Sequence, residues 1–141
     1  MKILFPTDFS SAAENAFVYA LKLADRLEAS ITVVHVYEML QLHTWVEDSM
    51  NMDQVNDQIT IGEFEQFRVK IEMLKRIAAE HRLDHVEVNY SLKESDYVVE
   101  AILDEAIASG ADIIVMGTRG ASGLKEILFG SVASKEILRA R

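Results

Sequence analysis

The stretch Gly117–Ser131, GTRGASGLKEILFGS, holds four of the six glycines in the chain. Glycines grouped with a hydroxyl are the makings of a phosphate cradle, because backbone N–H groups approach an anion closely where no Cβ intervenes. Two common cradles do not fit. A P-loop needs G-x-x-x-x-G-K-[ST], and here Gly123 is followed by Leu124, Lys125 and Glu126. The G-x-G-x-x-G fingerprint fails as well, since Gly117, Gly120 and Gly123 are spaced three apart. Gly117 closes the apolar run ADIIVM and is expected to bend the chain with φ > 0. Gly120 would admit a ligand close to the backbone. Gly130 and Ser131 open a helical pattern, GSVASKEILRAR, whose free N–H groups and positive dipole end favour an anion. Amides at 117–120 and 130–132 would then converge on one polyphosphate, with ASGLKEILF between them as a hairpin or short helix. The competing reading is that the glycines serve only turns, which are common at strand ends. Spacing alone leaves both open.

Other chemistry is sparse. Asp8 is the strongest acidic candidate, as a site carboxylate, as the N-cap of the first helix, or as both. His35 stands in the apolar run SITVVHVY, the setting of a buried, satisfied histidine rather than a catalytic base. His43, His81 and His85 have no metal-ligand spacing. No nucleophile–base pair or spaced carboxylate pair is present, so any hydrolysis of a bound polyphosphate would be slow, with Asp8 as its organiser. The absence of cysteine excludes disulfides, thiolate metal sites and thiol catalysis.

The elements that must position these groups alternate. KILFP and ADIIVMG are short apolar runs suited to strands buried on both faces. SITVVHVYEM is β-branched and reads as a second strand, HVEVNYSL as a third. Ser11 and Glu14 have capping-box spacing ahead of a helix carrying Ala13, Ala16, Phe17, Ala20, Leu23, Ala24 and Leu27. Residues from about 38 to 60 have no steady period and read as a loop or lid merging into a helix that is clear from Phe64. Trp45, Met39, Met50 and Met52 there suit ordinary packing or a partner surface. SDYVVEAILDEAIASG predicts a third helix, with Ser95 or Asp96 as N-cap and Gly110 near its end. The fold class expected is α/β: a doubly wound, Rossmann-like parallel sheet with helices on both faces, and one domain over residues 1–141. Its ligand would lie beyond the carboxyl ends of the strands, at the switch point.

On these residues the chain resembles the universal stress protein family. GTRGASGLKEILFGS matches that family's signature of Gly, two residues, Gly, nine residues, Gly, then Ser or Thr. ILFPTDFSSAAENAFVYALKLA, VVHVYE and ADIIVMG resemble its opening, its second strand and the strand before the glycines. The glycine signature is that of the ATP-binding branch. The resemblance implies that Pro6, Thr7 and Asp8 line the site, with Asp8 near the ribose or a phosphate-bound Mg²⁺. It implies that Val36 meets the adenine through backbone groups and that Met116 and Gly117 lie under the nucleotide. Gly120, Gly130, Ser131 and Val132 would cradle the phosphates, with Arg119 in reach of one. The implied ligand is ATP, with ADP or AMP as alternatives. Three departures stand out. Asp96 replaces a Gly usual near the start of the third helix, and Ala133 lacks a hydroxyl some members carry. The family's final edge strand is absent, which in the family often makes the dimer. A homodimer, or a tandem second domain covering that edge, is therefore expected.

A net charge of −9 opposes general nucleic-acid binding, since phosphate backbones need basic patches. No apolar run approaches the ~20 residues of a membrane helix. The N-terminus suits a buried strand rather than a leader. These features fit a cytoplasmic protein. Three functions compete at this level: an ATP-binding regulator of stress adaptation, a weak ATPase or nucleotidyl transferase, and a nucleotide-free interaction module.

Overall fold

The computed structural model describes residues 1–38, 52–117, 125–129 and 138–140. The elements run β1 (Lys2–Pro6), α1 (Ser11–Leu27), β2 (Ser30–Tyr37), α2 (Met52–Glu80), β3 (Val88–Glu94), α3 (Val98–Ser109), β4 (Ile113–Gly117), β5 (Lys125–Phe129) and β6 (Leu138–Ala140). The sheet order is β3-β2-β1-β4-β5-β6. β1 to β4 are mutually parallel where they pair. Connections run outward from β1 through β2 to β3, then cross to β4 on the other side of β1. That reversal is the doubly wound pattern, and it puts the switch point between β1 and β4.

Each face of the sheet is covered by helix, as expected. Ile3, Phe5, Ile31, Val33 and Val115 point to one face and pack with Phe17 and Leu21 of α1 and Leu74 of α2. The Phe5 and Phe17 rings lie 5.4 Å apart, tilted by 55°. Leu4, Val34 and Ile114 alternate to the other face, against Ile102, Leu103 and Ala106 of α3. The period of two along β1 and β4 thus serves two cores, which is why those runs are apolar without interruption.

Several local expectations shift. The N-cap of α1 is Ser10, whose side chain accepts from Ala13 N, so the Ser11–Glu14 pair is one residue out of register for a capping box. α2 starts at Met52, well ahead of the clear period. Its first turns carry the exposed Gln54, Asp57 and Gln58, so little core contact imposes a pattern there. Residues 39–51, including Trp45, lie outside the described residues. The N-cap of α3 is Tyr97, with no side-chain cap. Ser95 instead accepts from Tyr97 N in a local turn at 3.0 Å.

Past β4 the sheet continues with two antiparallel strands. β5 pairs with β4 from Ile113↔Phe129 to Gly117↔Lys125, the hairpin alternative for this segment. β6 pairs with β5 from Ile127↔Ala140 to Phe129↔Leu138. The helix expected through Ala140 is therefore replaced at Leu138–Ala140 by strand, and residues 130–137 lie outside the described residues. Sheet pairing overrides local helix propensity here.

Candidate functional site

Pro6 opens the crevice at the switch point. N–H directions alternate along a strand, and Thr7 N donates to Val34 O on β2 at 2.9 Å. Lys2 O accepts from Asp112 N at 2.8 Å, on the β4 side. Residues 2, 4 and 6 thus face β4, and Pro6 has no N–H to offer it. The β1–β4 pairing accordingly holds only Ile3↔Ile113 and Leu4↔Ile114, while β1–β2 continues to Pro6↔Val34. Beyond Leu4 the two central strands part.

A cavity of about 160 Å³ occupies the gap. Its lining brings together Pro6, Thr7, Asp8, Val36, Met116 and Gly117, all singled out from sequence. Arg119, Gly120, Gly130, Ser131 and Val132 lie outside the described residues. Sequence reading missed Val34, Val98 and Ile102, which complete the lining together with His35, read there only as a buried, satisfied histidine. Val98 and Ile102 are four apart at the start of α3. The signal was available, since a helix after a parallel strand begins at that strand's carboxyl end, the ligand end of the sheet.

The loop after β1 is wired by its own side chains. Thr7 Oγ1 accepts from Phe9 N at 3.0 Å. Asp8 Oδ1 accepts from Ser10 N at 3.0 Å. Ser10 Oγ accepts from Ala13 N at 3.2 Å. Asp8 therefore forms a turn one step before the cap rather than capping α1 itself. Between these bonds Phe9 sits at φ 60, a left-handed conformation rare for an aromatic residue. Its ring is held 4.9 Å from His35 and 5.9 Å from Phe67 of α2. Packing thus over-determines a conformation that costs about 1–3 kcal/mol on its own.

Gly117 is required here for a reason other than the one expected. Its φ is not left-handed, and among the described glycines only Gly110 has positive φ. A Cβ at Gly117 would stand 2.9 Å from Ala12 O and 3.1 Å from Ala13 Cα. β4 therefore ends in backbone-to-backbone contact with the first turn of α1, and any side chain would force them apart.

His81 and His85 have roles elsewhere. His81, just past the end of α2, has its Nδ1 2.9 Å from Ile77 O of that helix. His85 Nε2 meets Asp25 Oδ1 at 2.6 Å, at the opposite end of the sheet. Among the described residues no group of three or more His, Asp or Glu is arranged to hold a metal ion. No helix among them is long and apolar enough to cross a membrane.

Comparison with known proteins places this architecture. A model of the universal stress protein family matches residues 1–141. The chain belongs to the universal stress protein family. Universal stress protein MJ0577 of Methanocaldococcus jannaschii is 28% identical over 147 residues, spanning 99% of this chain and 89% of that protein. The solved MJ0577 structure superposes with a TM-score of 0.62, covering 94% of this chain and 85% of that one. Universal stress protein UspA from Lactobacillus plantarum, 24% identical, superposes with a TM-score of 0.65 over 95% of this chain and 88% of its own. A universal stress protein from Archaeoglobus fulgidus in complex with dAMP is 22% identical, with a TM-score of 0.52 over 95% of this chain and 86% of its own. The last two are likenesses of fold.

Proposed function

We propose that this universal stress protein is a cytoplasmic, ATP-binding regulator of stress adaptation, acting as one nucleotide-binding domain over residues 1–141. The observation that carries the reading is the convergence of Pro6, Thr7, Asp8, Val36, Met116 and Gly117 on one crevice at the switch point. The dAMP complex of the Archaeoglobus fulgidus relative supports the ligand class. In this reading the adenine lies against Val36 and the base-sized cavity, with Met116 and Gly117 beneath it. The phosphates run toward Gly120, Gly130, Ser131 and Val132, with Arg119 as a counter-charge. ADP and AMP are the alternative ligands.

The donor set fits a nucleotide-bound Mg²⁺ in one respect. Mg²⁺ is commonly held by one or two carboxylates plus substrate phosphates, and Asp8 is an exposed carboxylate on the crevice wall. The ion would neutralise phosphate charge. Asp8, fixed by Ser10 N, would orient it. Any hydrolysis is slow in this scheme, and turnover abolished by Asp8→Ala would mark it as real. With β5 and β6 paired beyond β4, the edge that a second copy or a second domain covers in this reading is that of β6, and a monomer by light scattering counts against the second copy.

The deciding experiment is to unfold the purified protein and identify released small molecules by mass spectrometry. ATP or ADP near one per chain is the expected result. No released nucleotide, with no thermal shift in millimolar ATP and Mg²⁺, overturns the reading and leaves the glycines as turn formers in an interaction module.

A further inference from the structure

The β1–β2 ladder ends in an exchange of partners. In a parallel pair, a residue whose N–H donates to one neighbour on the facing strand accepts, at its own C=O, from the N–H two residues further along. Thr7 N donates to Val34 O at 2.9 Å, so Thr7 O is placed to accept from Val36 N–H. Among the described residues that reciprocal bond is not made. The His35 side chain stands in for it, with Nδ1 2.8 Å from Thr7 O. A carbonyl oxygen only accepts, so Nδ1 carries the proton. The ring is held in that orientation by Phe67, stacked on it at 6.5 Å and 20°, and by Phe9 at 4.9 Å. Glu63 Oε2 lies 3.6 Å from Nε2 and attracts the ring only when that nitrogen is also protonated.

The consequence falls on Val36. Its N–H and C=O share the β1 side of the strand with those of Val34, and β1 has turned away at that level. We propose that His35 is a positioning residue: by taking Thr7 O, it keeps Val36 N–H out of the ladder and available to a hydrogen-bond acceptor on the edge of a bound base. The Val36 residue itself lines the crevice. The inference rests on the nucleotide reading for the identity of the ligand, but not for the exchange of partners.

Amide hydrogen exchange at Val36 tests it. In the ligand-free wild type, Val36 N–H is expected to exchange far faster than Val34 N–H, and a protected Val36 overturns the proposal without any variant. In His35→Leu, Thr7 O falls to Val36 N–H and Val36 becomes protected. A merely structural role gives the opposite sign, because loosening the strand speeds exchange, and that result also overturns the proposal. His35→Asn, which keeps a donor near the Nδ1 position, restores fast exchange. ATP affinity is expected to fall roughly tenfold in His35→Leu, the worth of one hydrogen bond, with affinity for inorganic tripolyphosphate unchanged. Equal losses for both ligands overturn the base contact. Unprotected Val36 in a wild type that binds no adenine nucleotide removes the nucleotide reading and leaves the exchange of partners standing.

Discussion

Each end of β4 is shaped by a glycine, and the two glycines are needed for different reasons. Gly110, just before β4 at the amino end of the sheet, has φ 68 and closes α3. A Cβ added there meets only the tip of the Lys2 side chain, at 3.9 Å. The demand at Gly110 is conformational. Gly117, at the carboxyl end, has room in its dihedrals and none in space, with Ala12 O 2.9 Å from an added Cβ. The surroundings differ in the same way. The amino end carries the larger hollow, about 550 Å³, walled by Lys2, Asp25, Glu28, His85 and Glu87. The crevice at the carboxyl ends of β1 and β4 has only about 160 Å³, but Thr7 and Asp8 of the wired loop and the tightly packed Gly117 form part of its wall. Under the proposed function the site is the smaller hollow, distinguished by its constrained backbone and not by its size.

The strongest way to break that comparison is Gly117→Ala. Overpacking against backbone is expected to cost about 1–3 kcal/mol, read from the urea midpoint at unchanged slope. The displaced first turn of α1 should carry the Asp8 loop with it and weaken any nucleotide-induced thermal shift. A loss under about 0.5 kcal/mol would mean that α1 yields freely, and the two ends would no longer differ. Gly110→Ala comes next, at about 1–2 kcal/mol for a left-handed alanine. Here Gly110→Asn should recover most of the loss, since Asn tolerates that conformation. Rescue by Asn at Gly110 but not at Gly117 is the pattern that separates a dihedral demand from a spatial one.

The same contrast explains what the sequence could and could not disclose. Gly117 was legible as necessary, but its cause was not, because the obstructing atoms belong to α1, more than a hundred positions away. The strand–helix order and the face alternation of β1 were legible, because burial on two faces leaves an uninterrupted apolar run. The sequence offers Asp8 and Ser11 as caps of α1, in a run where Thr7, Asp8, Ser10 and Ser11 are all side chains able to accept from a nearby N–H. Three of the four are used, each on a different amide. The end of the chain misleads for another reason. KEIL occurs at 125–128 and again at 135–138. The first copy is β5, and Leu138 of the second opens β6, where a helix was expected. Lys, Glu and Leu favour helix and Ile tolerates strand, so local preference does not decide and sheet pairing does.

Gly62 supplies the control for both ends. It lies inside α2 with nothing within 4 Å of an added Cβ and no positive φ. Gly62→Ala should therefore stabilise the protein by about 0.5–1 kcal/mol, the helix preference of Ala over Gly. A destabilised Gly62→Ala protein would show that space on α2 is occupied in solution, and the argument from free space at Gly110 would weaken with it.

The smallest effect is expected where the contact looks shortest. Asp25 and His85 meet at 2.6 Å, but their side chains are 47% and 61% exposed. An exposed pair of this kind contributes about 0.2–1 kcal/mol, less at high salt. Asp25 also lies near the carboxyl end of α1, where a negative charge opposes the helix dipole. Asp25→Ala removes that opposition and gains helix preference, two terms of about the same size as the lost contact. The net change in the urea midpoint should lie within about 0.5 kcal/mol of zero. A loss near 2 kcal/mol would place a second constrained region at the amino end, and the large hollow there would then have to be weighed as a site in its own right.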